Sequence, residues 1–243
     1  MTISDYKTKT EIKKIVQKLG SNLMMPKSHG YNENIGKTII EAAKIQADHF
    51  LNQVDERNSA ISLMAVILAA NRNYNRQVDS HVKNMRQRFP KITFLELQDE
   101  LDNRDYEEFR DIWGHKDEKK YNILASLVKR ILSLQRLTSW EDLELMKNWA
   151  QSAKLKYRKE DILLGGVPNV GIATFQHLRM SFGADTVKPD QRVKEVLSKE
   201  FNAALHDEDV IEAIEDIAKI TGHKVIVIDQ IFVKYGSGYY LQN

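Results

Sequence analysis

Cysteine is absent from the 243 residues. That excludes disulfides, thiol nucleophiles and cysteine-ligated zinc or iron–sulfur centres, and a reducing, cytoplasmic location is expected. Proline occurs only at Pro26, Pro90, Pro168 and Pro189, and glycine eleven times, which leaves long stretches without punctuation. No eighteen consecutive residues are apolar and the first thirty are mixed in character, so neither a signal peptide nor a membrane span is expected. Neither charge sign prevails: 36 basic against 34 acidic side chains leave +2, and a polyanion would be held by a local patch rather than by the whole-molecule field. At ~150 residues per domain the length suggests one to two domains, large enough to need no external staples.

The unpunctuated stretches repeat apolar residues every three or four positions and predict an all-α chain. Ile40, Ala43, Ala47, Phe50 and Val54 share one face of a helix ending near Asp55, and a new unit is expected to begin after Ser59. The stretch from Ile61 to Leu68 is apolar nearly all round, as a central helix would be. Phe89-Pro90 ends a later helix, and Thr93 with Glu96 matches a capping box. A helix is expected from Asp117 to Gln135, another from Trp140 to Lys154. Asp207 is read as an N-cap. The β-branched tail from Val225 to Val233 still repeats Ile228, Ile231, Phe232 and Tyr235 at helical spacing, with Gly236 as C′ residue, and is read as a helix.

Several motifs fail on inspection. Gly30 to Thr38 resembles a phosphate-binding loop, but five residues separate its glycines where the motif has four, so it reads as a loop entering a helix. The seven histidines form no pair at metal-ligand spacing, and no cofactor or metal is expected. Asp99 to Glu108 is interleaved with Arg104 and reads as a solvated face. The informative place is Pro168-Asn169-Val170-Gly171, where two residues tolerant of positive φ precede a new helix starting at Ile172. Together with the preceding stretch this predicts two helices joined by a tight turn, whose backbone N–H groups and dipole face an anion.

These residues resemble a family. Val167-Pro168-Asn169-Val170-Gly171-Ile172-Ala173-Thr174, then Phe182-Gly183, then Val187-Lys188-Pro189-Asp190-Gln191-Arg192-Val193, are similar to the helix-hairpin-helix DNA glycosylase superfamily, endonuclease III-like. That pattern is a Leu-Pro-Gly-Val-Gly hairpin, a helix, and an aspartate heading the next helix. More faintly, Leu63 to Ala70 with Asn71 is similar to the helix that ends in the family's wedge residue.

The resemblance implies a two-lobed helical fold, with a six-helix barrel over 60–180 and a second domain built from 1–59 and 181–243. It implies a monomer that binds double-stranded DNA through Pro168, Asn169, Val170, Gly171, Ala173 and Thr174. Asn71 would fill the gap left by a flipped base. Asp190 would stabilise the positive charge that develops on the sugar as the N-glycosidic bond breaks. Lys188 would touch a phosphate or act on that aspartate. The family's lyase lysine is replaced by Ala173, so hydrolysis without strand cleavage is expected. A non-catalytic DNA-binding module is the alternative. Tyr74, Trp113 and Tyr121 are candidates for stacking on an extruded base or for core packing.

Overall fold

The computed structural model describes residues 2–25, 35–70, 78–238 and 240–241. The all-α expectation holds: the described residues are mostly helical, with one two-stranded antiparallel pair, β1 (Leu23–Met24) and β2 (Tyr240–Leu241), as the small exception. The chain divides into two compact units, one made of 1–52 and 185–243, the other of 53–184.

The first unit contains α1 (Lys9–Ser21), α2 (Ile39–Leu51), α10 (Gln191–Phe201), α11 (Asp207–Thr221) and α12 (Val225–Gly236). The β-branched tail is helical, as its spacing predicts, because α12 is the central rod against which α1, α2, α10 and α11 all pack. Burial on every side suits its near-continuous apolar sequence: Ile226, Val227, Ile228, Ile231 and Phe232 are all buried. Gly236 is the last helical residue rather than a C′ residue beyond it; a Cβ there would meet the Arg192 Cβ at 3.1 Å, so its role is the close approach of α12 to α10. The N-cap of α11 is His206, with Asp207 one residue inside, where its charge favours the helix N-terminus. Thr38 starts α2 with a capping box to Glu41, so the described part of the glycine-flanked segment, 35–38, is a turn entering a helix. The α2 helix stops at Leu51 and a separate 3-10 turn covers Val54–Glu56.

The second unit is built around α3 (Ser59–Ala69), with α4 (Asp79–Arg88), α5 (Phe94–Asp102), α6 (Tyr106–Trp113), α7 (Glu118–Thr138), α8 (Asp142–Ser152) and α9 (Ile172–Ser181). Nine of the eleven α3 residues are buried, in keeping with its all-round apolar sequence. Its start is fixed by Asn58, whose side chain accepts from the Ile61 N–H and donates to the Ile92 carbonyl. Its end is fixed by the buried Lys120 of α7, whose ammonium donates to the carbonyls of Leu68 (2.8 Å) and Ala70 (2.7 Å). The Thr93–Glu96 capping box forms, and Phe89 ends α4 before Pro90, both as expected.

Candidate nucleic-acid interface and carboxylate site

The two expected helices form, as α8 and α9, but the connection between them is longer than a tight turn. It opens with a 3-10 helix, Leu155–Glu160, followed by linked turns over 162–166. The cause is local. The Asp161 carboxylate accepts the N–H groups of Leu163 (3.0 Å) and Leu164 (2.8 Å) together with the Trp149 indole N–H. Gly166 then takes φ +70°, which breaks any regular helix. Arg130 of α7 clamps the same turns by donating to the carbonyls of Leu163 (3.3 Å) and Gly165 (2.6 Å). Sequence reasoning passed over Asp161 and Arg130, because a turn scaffold built from distant side chains leaves no local pattern.

The hairpin tip rests on this frame. Pro168, Asn169 and Gly171 are exposed, and Asn169 adopts the left-handed conformation at φ 65°. Gly171 does not use its freedom: its φ is −87° and ψ 178°, extended backbone. It is the N-cap of α9, a ten-residue helix that receives no side-chain cap. The first N–H groups, those of Ile172, Ala173 and Thr174, thus lack the side-chain acceptor that Asp, Asn, Ser or Thr would provide at the cap. All three residues are half-buried. The arrangement offers main-chain donors and the positive end of a helix dipole behind an exposed turn.

Asp190 belongs to the other unit. It is half-buried and is the N-cap of α10, its Oδ1 accepting from the N–H groups of Arg192 (3.0 Å) and Val193 (3.1 Å). The chain reaches it through a three-residue turn in which the Asp190 N–H donates to the Lys188 carbonyl at 2.7 Å. Pro189 at the centre of that turn presets φ for it.

The loop is staked to α12 at two points. Asp185 accepts the Ile226 N–H at 2.9 Å, and Asp229 accepts the Lys188 N–H at 3.2 Å. Asp229 is fully buried, and its other oxygen accepts from Gln230 at 2.8 Å. Burial first, and then the negative charge of Asp190, push the Asp229 carboxyl up to about 7, while the Lys188 N–H, Gln230 and the Lys188 charge pull the other way. Asp229 thus sets a carboxyl that holds its proton more readily than an exposed one against the backbone of the turn leading to Asp190.

Lys188 and Asp190 are thus brought together, and Asp229 and Gln230 join them. The only sequence signal for these two was a polar pair inside an otherwise apolar run. No family model matches the chain. Neither curated proteins nor solved structures yield a match.

The remaining candidates divide. Asn71 and Tyr74 lie outside the described residues. Trp113 is fully buried, stacked edge-on with Phe109, and its indole N–H donates to the His115 carbonyl. Tyr121 donates to the carbonyls of Leu101 and Arg104. Trp113 is a core residue and Tyr121 is half-buried against the core, so both are read as packing rather than base-stacking residues. Among the described residues no group of three metal-ligating side chains occurs, and no helix is long and apolar enough to cross a membrane.

Proposed function

We propose that the chain is a monofunctional DNA N-glycosylase that hydrolyses the bond between deoxyribose and a damaged or mismatched base. The observation that carries the reading is the uncapped start of α9 behind the exposed Asn169 turn. The hairpin holds phosphates through main-chain donors, with no demand on sequence. In the chemical step the C1′–N bond breaks and its electron pair leaves with the base. Asp190 stabilises the resulting positive charge on the sugar and accepts a proton from the attacking water. The two-lobed glycosylase fold, a monomeric state and action on double-stranded DNA belong to the same proposal. Ala173 at the position of the family's lysine supports hydrolysis without a covalent intermediate.

Asp190→Asn tests the reading cleanly, because asparagine caps a helix as well as aspartate does and the fold is retained. Duplexes each bearing one modified base are incubated with either protein, and released bases are measured by mass. The wild type releases at least one base. The variant binds DNA equally well but is slower by a hundredfold or more, roughly 3 kcal/mol of lost transition-state stabilisation. Binding without release of any base by the wild type would make the chain a non-catalytic DNA-binding module. No binding at all would refute both.

A further inference from the structure

We infer that the 3-10 helix Leu155–Glu160, with Lys154 before it, is a second phosphate-binding strip that extends the hairpin's hold along a DNA backbone, an inference that rests on the DNA-binding reading. The chain's net charge of +2 gives no long-range attraction for a polyanion, so binding requires a local concentration of charge. Within 154–160 it is present: Lys154, Lys156, Arg158 and Lys159 stand against Glu160 alone. The three lysines are exposed, Arg158 is half-buried, and no ion pair with a carboxylate engages any of the four among the described residues. Between them Tyr157 is 52% exposed with the Lys156 ammonium 5.7 Å from its ring centre, an aromatic set among cations, as in surfaces that follow nucleic-acid strands.

The strip is fastened to the hairpin. Gly165 lies so close to the end of the 3-10 helix that a Cβ would come within 2.7 Å of the Asp161 nitrogen and 2.8 Å of the Lys159 carbonyl. The Gly165 N–H donates to the Asp161 carbonyl at 2.7 Å, and Asp161 spends its carboxylate on Leu163, Leu164 and Trp149. Strip, turns and α9 therefore form a single piece in which the basic side chains keep a fixed place beside the turn that presents main-chain donors. A nucleic-acid backbone is the polyanion that repeats its charges far enough to meet both. An anionic lipid surface would instead call for an amphipathic helix longer than this six-residue element.

The test is the salt dependence of binding to an undamaged duplex of about 20 base pairs. The triple variant Lys154→Gln, Lys156→Gln, Lys159→Gln is compared with wild type and with a control of equal charge loss in the other unit, Lys9→Gln, Lys13→Gln, Lys14→Gln on α1. Each phosphate that is no longer neutralised lowers the log–log slope by ~0.9, so the strip variant is expected to lose roughly two to three from its slope and at least tenfold in affinity near physiological salt. The control keeps the wild-type slope.

An unchanged slope in the strip variant, or an equal drop in the control, would overturn the strip while leaving the hairpin reading intact. Absence of salt-dependent duplex binding by the wild type would overturn the DNA reading beneath it. Strip-dependent binding to phosphatidylserine vesicles without duplex binding would replace both with a membrane role.

Discussion

Replacing Asp229 by asparagine should make this protein more stable at neutral pH and leave it nearly unchanged in acid. The carboxyl is fully buried and raised from 3.8 to about 7 by burial and by the charge of Asp190. Below pH ~4 both folded and unfolded chains hold the proton, and Asp229 has no pH-dependent effect. Between ~4 and ~7 the unfolded chain releases it and the folded chain does not, so folding stability falls as pH rises, by ~1.4 kcal/mol per pH unit. The fall is complete above ~7 and amounts to about 4 kcal/mol.

Asparagine has no such proton to lose. Its Oδ1 can still accept the Lys188 N–H, and a turned Gln230 amide can accept from its NH2 group. Urea unfolding of both proteins at half-unit steps from pH 4 to pH 8 measures the effect, with other titrating groups cancelling in the difference. The variant should gain on the wild type across that interval and level off above pH 7. Two parallel curves would refute the account, since they would mean that Asp229 ionises alike in folded and unfolded chains.

Lys120→Met should cost about 1–3 kcal/mol in unfolding free energy, because the Leu68 and Ala70 carbonyls lose their charged donor and the former is buried; a gain in stability would show that desolvating the ammonium outweighs those bonds. Gly165→Ala should destabilise the second unit by about 2 kcal/mol or more, since the new methyl collides with backbone at Lys159 and Asp161, and DNA affinity should drop with it; a midpoint equal to wild type in denaturant would contradict the packing described.

How much of this was legible in the sequence depended on whether the cause was local. Helices α7 and α12 could be read from spacing alone, and in α12 the helical period outweighed β-branching because the helix is buried on all sides. The Thr93 and Asp190 caps could be read because the partner N–H groups lie two or three residues away. The connection between α8 and α9 could not, since Asp161, Trp149 and Arg130 converge on it from separate elements. Asp229 was hidden for the same reason: a single polar pair in an apolar run does not reveal which helices surround it. Asn169 is a residue able to take positive φ and does so, whereas Gly171, equally able, sits in extended backbone.

The two anchors of the 185–190 loop come from positions 226 and 229 of one helix, three residues or ~4.5 Å of rise apart. The helix therefore acts as a ruler for the loop: adding or deleting a residue between 185 and 188 would put one anchor out of register with its partner. The position of the carboxylate at 190 is thus set by the pitch of α12, and changes in loop length that an ordinary surface connection tolerates would here move the acid itself.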